Sequence, residues 1–284
     1  MAKAKAVVHG AISLVNAIAT QKGATLGIAL EVEATVEASP GKGIILQSEN
    51  KSLSSRLINK TVEKIISKKD LEQNKIVIKL DSEIPTGYGL KSSSAISSAV
   101  ALACAKIFKP KLTDQQILLA GVDASIESKV SITGAYDDAC SCYYGGFNVT
   151  NNQKKERVHH EKIPSNLIAV IFLPKSRKRG NLKNLKTLSS VFDNAWDLAL
   201  KTKYWDAMTI NGLATSALLN SDTAIITELI EKGALAASVS GNGPSIAAIT
   251  KKENESSIKK VFSRLEGTVI VSKVNNKKAE VHEV

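Results

Sequence analysis

IPTGYGLKSSSAISSAVALACAKIF, residues Ile84 to Phe108, is the stretch on which the reading of this chain turns. Gly87 and Gly89 can take backbone angles that other residues reach only at a cost, and Ser92, Ser93 and Ser94 set hydroxyls and free N–H groups where a helix begins. The unpaired amides of a first helical turn and the helix macrodipole both favour an anion, a phosphate above all. After the serines the segment turns small and apolar, with Val100, Leu102, Ile107 and Phe108 among alanines, which predicts a buried central helix packed closely on a sheet. A short strand from Lys75 to Leu80 delivers the chain to this loop, so strand, glycine loop and helix follow one another as an α/β unit.

Two familiar phosphate motifs are excluded. Lys91-Ser92 has the ending of a Walker A loop, but Leu90 stands where that motif needs glycine, and Ser92 holds the last position of any G-x-G-x-x-G read through Gly87 and Gly89. On composition alone the stretch could be no more than a capped buried helix. What stands is the pattern P-x-x-x-G-L-x-S-S, written by Pro85, Gly89, Leu90, Ser92 and Ser93.

Two other segments carry chemistry-bearing residues. Thr133 to Gly146 holds the adjacent carboxylates Asp137 and Asp138 and ends in Gly145-Gly146, which suits a close approach of substrate to backbone; the same carboxylates would also serve as a helix N-terminal pair. Ser238-Val239-Ser240-Gly241-Asn242-Gly243-Pro244-Ser245 reads as a strand, a glycine turn and another strand. Glu127 precedes the paired carboxylates on a helix that also presents Asp123 and Lys129, where it could equally be a solvated side chain.

The P-x-x-x-G-L-x-S-S pattern resembles the second motif of the GHMP kinases, and G-L-K-S-S-S-A with Lys91 in the usual small-residue slot is most similar to the archaeal type of shikimate kinase within them. Ser13 to Thr20, followed by Lys22-Gly23, shares that likeness, and the three motifs lie in family order across nearly the whole chain. The resemblance implies a two-layer α+β/α/β architecture, the GHMP kinase fold, with an N-terminal ATP-binding domain over residues 1–155 that resembles a ribosomal-protein fold and a C-terminal ferredoxin-like domain over 156–284. It implies ATP and Mg²⁺ as cofactors and transfer of the γ-phosphoryl to a hydroxyl of shikimate. Residues Pro85, Thr86, Gly87, Tyr88, Gly89, Leu90, Lys91, Ser92, Ser93, Ser94 and Ala95 would hold the nucleotide, with Gly241, Gly243 and Ser245 folding over it. Ser93 and Glu127 would bind the metal, and an acidic residue would meet the acceptor hydroxyl. Counting back from Gly145-Gly146 favours Asp138, counting forward from Gly134 favours Asp137, and Asp138 is preferred. Asn16 is assigned to the substrate, and Arg177 and Arg179 are candidates for its carboxylate, since a guanidinium fork fits that group. Homoserine or mevalonate is the alternative acceptor, and a basic RNA-binding protein without catalysis the alternative class.

Composition agrees with an enzyme of this kind. The chain has 284 residues, 43% of them hydrophobic and 23% charged, enough for a sizeable core without staples. A net charge of +11 suits either a solubilising lysine surface or anionic substrates, whereas 4% aromatic residues leave little on which to stack bases. Cys104, Cys140 and Cys142 are an odd number without C-x-x-C spacing, so they read as buried thiols of a cytoplasmic protein, and no apolar run reaches the ~20 residues a bilayer crossing needs. His9 reads as a structural histidine. The run from Asn151 to Glu161 reads as a surface loop or linker, and the polar tail from Asn275 as a frayed end.

Overall fold

The apolar run near the N-terminus forms one strand, β1 (Ala2–Val15), and the alternating segment after it forms a longer one, β2 (Lys22–Pro40). The computed structural model, which describes residues 2–48, 53–131, 133–178 and 180–284, pairs the two antiparallel. Val32, Ala34, Val36 and Ala38 are buried while Glu33, Thr35 and Glu37 stay half-exposed, the alternation of a sheet that is wet on one face. Bulges fall between His9 and Gly10 and between Ser13 and Val15, and the second bends the end of β1 toward the loop after β4.

β3 (Gly43–Gln47), α1 (Ser55–Ile65), α2 (Lys68–Gln73) and β4 (Asn74–Ser82) follow, with β3 parallel to β4 and β4 antiparallel to β2. Next come α3 (Ser92–Phe108), α4 (Asp114–Glu127), α5 (Tyr136–Tyr144), β5 (Phe147–Asn151) and β6 (Glu156–Glu161). Every residue of α3 from Ser94 to Ala105 is buried, because its small side chains let β1, β2, α1, α4 and α5 close around it. α4 starts at a complete capping box, Thr113 with Gln116.

The second half is a four-stranded antiparallel sheet made of β7 (Leu167–Pro174), β8 (Ala234–Val239), β9 (Ile246–Lys251) and β10 (Gly267–Lys273) in the order β10-β7-β9-β8. Helices α6 (Ser189–Leu200), α7 (Tyr204–Leu218) and α8 (Thr223–Glu231) connect β7 to β8, and α9 (Glu255–Phe262) connects β9 to β10. That connectivity is the ferredoxin-like arrangement. One core cluster joins the halves, with Ala169, Ile171 and Ala247 packed together with α3 and the first sheet.

Two segments differ from their sequence reading. Glu156–Glu161 is not a linker: it is β6, hydrogen-bonded to β5 in the first sheet, so a division at 155/156 would separate β5 from the strand it pairs with. The polar tail does not fray either. The Asn275 N–H donates to the Gly27 carbonyl, the Asn276 amide bonds both backbone groups of Ile163, and the chain ends in β11 (Glu280–Glu283) beside β1. Both segments are polar because they sit at sheet edges facing water, where composition looks the same as in a loop. Among the described residues no helix is long and apolar enough to cross a membrane.

Candidate active site

The first helical residue of α3 is Ser92, and its N-cap is Lys91, held in the left-handed region at φ 66° and ψ 24° with no side-chain cap. The three serines therefore lie inside the first turn instead of capping it. Ser92, Ser93 and Ser94 border a cleft of about 380 Å³ together with Gly87 and Gly89. Gly89 is required twice over: its φ is +84°, and a Cβ there would lie 2.0 Å from the Ser240 carbonyl oxygen.

The N-terminus of α5 opens into the same cleft, behind Ala135 in a left-handed conformation. Asp137 and Asp138 occupy its first turn, so they do complement the macrodipole, as the simpler reading of them holds. Burial separates their further roles. Asp137 is 4% exposed, accepts a 2.7 Å hydrogen bond from Asn152 Nδ2, and has Oδ2 so close to Gly23 that a Cβ there would stand 2.4 Å away. Burial, and then the neighbouring charge of Asp138, push the Asp137 carboxyl up to about 7. Asp138 is the more open of the two and lies 2.8 Å from Lys91 Nζ through Oδ1. The contact is an ion pair off the angle of a hydrogen bond, and Oδ1 has no hydrogen-bond partner.

The loop after β8 closes the cleft from the second sheet. Ser240 Oγ donates to the Gly89 carbonyl at 2.8 Å and accepts from the Ser13 N–H at 3.2 Å. Gly241 is held from both sides by the end of β1: its N–H donates to Ser13 Oγ at 3.0 Å, and its carbonyl accepts from Asn16 Nδ2 at 2.8 Å. Ser13 Oγ also accepts from Lys91 Nζ at 2.8 Å.

Several expected site residues take other positions. Gly243 and Ser245 stand behind the lining, where their N–H groups bond the Ser240 and Tyr88 carbonyls; Gly241 reaches the cleft, with Asn242 beside it. Asn16 borders the cleft, with one of its amide N–H groups donating to the Gly241 carbonyl and its Oδ1 accepting from the Ile18 N–H. Leu90 and Ala95 are buried packing residues, while Pro85, Thr86 and Tyr88 flank the turn outside the lining. Arg177 stacks over the Tyr88 ring at 4.9 Å and is not in the lining, and Arg179 lies outside the described residues. Glu127 is not brought to the cleft: its carboxylate pairs with Lys64 of α1 and borders a different groove. The double glycine meets the tail and not a ligand, since the Gly146 N–H donates to the Asn275 carbonyl and a Cβ on Gly145 would strike the backbone of residues 275–277. His9 is 5% exposed beside Glu31, a structural position.

Ser13 had no assigned role in the sequence, nor had Ser125, Ser131, Thr133 and Leu182, which also line the cleft. The side-chain partners of Ser13 are 78 and 228 positions away, so the likeness of Ser13 to Thr20 marks the segment but not what its first residue binds.

Uncapped amides at the start of α3, with the ammonium of its own N-cap residue Lys91 set against the Asp138 carboxylate at the start of α5, are the groups that phosphoryl transfer needs. Comparison with known proteins gives the same class. Residues 56–146 match the family described as GHMP kinases N terminal domain, and residues 206–268 that described as GHMP kinases C terminal. The shikimate kinase of Methanosarcina acetivorans is 37% identical over 96% of this chain and 95% of its own length. The shikimate kinase of Pyrococcus furiosus is 32% identical over 92% of this chain and 96% of its own. Among solved structures, homoserine kinase from Cytophaga hutchinsonii matches with TM-score 0.77 and 19% identity, covering 99% of this chain and 97% of that one. Methanococcus jannaschii mevalonate kinase matches with TM-score 0.74 and 18% identity, covering 96% and 98%. Those two share the fold. The chain belongs to the GHMP kinases, and it is accordingly an ATP-dependent kinase.

Proposed function

We propose that the acceptor is shikimate and the product shikimate 3-phosphate. The acceptor's identity is supported by the full-length likeness to proteins named shikimate kinase. The chemistry rests on one observation, the Asp138 carboxylate held beside Lys91 at the uncapped start of α3.

In this reading the amides from Gly89 to Ser94 take the β- and γ-phosphates. The acceptor oxygen bonds to the γ-phosphorus, the bond to the bridging oxygen breaks to leave ADP, and the hydroxyl proton passes to Asp138 across roughly 3 Å. The Lys91 ammonium carries three protons; Ser13 takes one, and the charge faces Asp138 and the transferring group. Magnesium in such sites is held largely by phosphate oxygens and water with one or two protein donors. The Ser93 hydroxyl, half-exposed in the lining, fits that requirement, whereas Glu127 would first have to leave Lys64. When bound, the metal would neutralise charge on the phosphates. Arg177, the side chain we assign to the acceptor's carboxylate, stands outside the lining over Tyr88 and would have to leave that ring to reach it. The three cysteines, all free and buried, accord with a cytoplasmic setting.

A coupled assay of ADP release with shikimate, homoserine and mevalonate tests the assignment. Turnover is expected with shikimate. Turnover with homoserine or mevalonate and none with shikimate would overturn the acceptor and leave the kinase class standing.

A further inference from the structure

Ser13 is 1% exposed and makes contacts to residues drawn from separate regions of the chain. Its N–H donates to Ser240 Oγ, whose hydroxyl donates onward to the Gly89 carbonyl in the phosphate turn. Its own hydroxyl accepts from the Gly241 N–H and from the Lys91 ammonium. The result is a closed ring: the phosphate turn, the end of β1, the glycine loop of the second sheet, and the residue that caps α3.

Lys91 is an unexpected occupant of its position. A left-handed backbone is the habit of glycine, and a lysine there is disfavoured. Its side chain is nonetheless 6% exposed, and the terminal nitrogen fills the space a Cβ on Gly241 would take, 2.6 Å away. A buried ammonium needs anchors on its protons. Asp138 supplies charge, Ser13 supplies direction, and Gly241 supplies a wall. Take away the Ser13 oxygen and Lys91 can swing on its four-carbon stem without disturbing the backbone of either helix.

We propose that Ser13 is a positioning residue for phosphoryl transfer: by binding the second sheet's glycine loop and the Lys91 ammonium at once, it fixes Lys91 against Asp138. Docking of the second sheet's loop is thereby coupled to assembly of the reacting carboxylate. The inference rests on the reading that Asp138 meets the acceptor hydroxyl.

The test is a double-mutant cycle in the full-length kinase, with Ser13→Ala, Lys91→Met, the double variant, and Asp138→Asn in parallel. If Ser13 acts through Lys91, Ser13→Ala lowers kcat by about tenfold with little change in the KM for ATP, and costs less than about twofold more once Lys91 is methionine. Ser13→Thr, which keeps the hydroxyl, is expected to retain most of the activity. Should Ser13→Ala not fold, Ser13→Cys keeps the volume with a poorer acceptor and enters the same cycle. Additive losses, or an unchanged kcat in Ser13→Ala, would overturn the coupling while an inactive Asp138→Asn left the site reading intact. A fully active Asp138→Asn would overturn both.

Discussion

Lys91 Nζ and Asp138 Oδ1 meet at 2.8 Å between the starts of two helices, one whose first-turn amides have no side-chain cap and one whose first turn carries its own carboxylates. Neither helix has a side-chain cap, but α5 sets two carboxylates against its dipole and the Asp137 N–H donates to Asn152 Oδ1, while α3 carries no acidic residue in its first turn and presents its positive end to the cleft. An anion placed at α3 comes to lie beside a cation and within reach of a carboxylate able to take a proton.

Asp138→Asn keeps the shape and removes the base. Turnover should fall by about 10²–10⁴-fold, the usual worth of a positioned acid or base. Binding of a non-hydrolysable ATP analogue, followed by calorimetry, should stay close to that of the unaltered protein. Full turnover in the variant would remove Asp138 from the chemistry.

Lys91→Gly separates the backbone role of this residue from its chemical one. Glycine relieves the left-handed conformation, worth about 1–2 kcal/mol, which offsets some of the lost ion pair. The expected outcome is a melting temperature within a few degrees of the original together with a kcat at least about tenfold lower. A variant that is unstable yet fully active per folded molecule would make Lys91 a structural residue only.

Asp137 gives the fold a pH dependence of predictable sign. Its carboxyl is raised to about 7 in the folded chain by burial and by Asp138, against an unfolded value of 3.8. The folded state therefore binds the proton more tightly, and the stability this group contributes is complete below about pH 4 and is lost as pH rises through about 7. Asp137→Asn cannot ionise, so its melting temperature relative to the original protein should climb between pH 5 and pH 8. A difference that stays flat or falls over that interval would show that Asp137 is ionised in the folded chain.

The Gly89 turn makes the dependence on the second sheet visible. Gly89→Ala would put a Cβ 2.0 Å from the Ser240 carbonyl at a φ of +84°; the contact must be relieved by moving the loop at residues 240–241 and the φ by bending the turn itself. A loss of nucleotide affinity of at least about tenfold is expected, with destabilisation in the range of about 2–4 kcal/mol typical of strain at a special backbone position. Unaltered binding in a folded variant would mean that the second sheet's loop does not shape the nucleotide site.

Much of this was legible in the chain. Glycines at 87 and 89, the serine run and the alanine-rich helix announce an anion site through rules that act within a few residues, and the alternation of β2 announces its sheet. The choice between Asp137 and Asp138 was not legible, because neighbours on a helix differ only in the direction they face, and the wall that buries Asp137 is built from Gly23 and Asn152. Glu127 had the right spacing for a metal ligand, but Lys64, 63 positions away, holds its carboxylate. Asn16 borders the cleft as expected of a binding residue, but its bond to the Gly241 carbonyl could not be read from spacing. Each of these surroundings is set by a contact between distant segments, on which residue spacing carries no information.

A crystal structure with ADP, magnesium and shikimate bound tests the central claim most directly. The expected result is phosphate oxygens on the backbone amides between Gly89 and Ser94, and a shikimate hydroxyl within about 3 Å of the Asp138 carboxylate. A nucleotide seated away from the start of α3, or a shikimate hydroxyl turned away from Asp138, would contradict it.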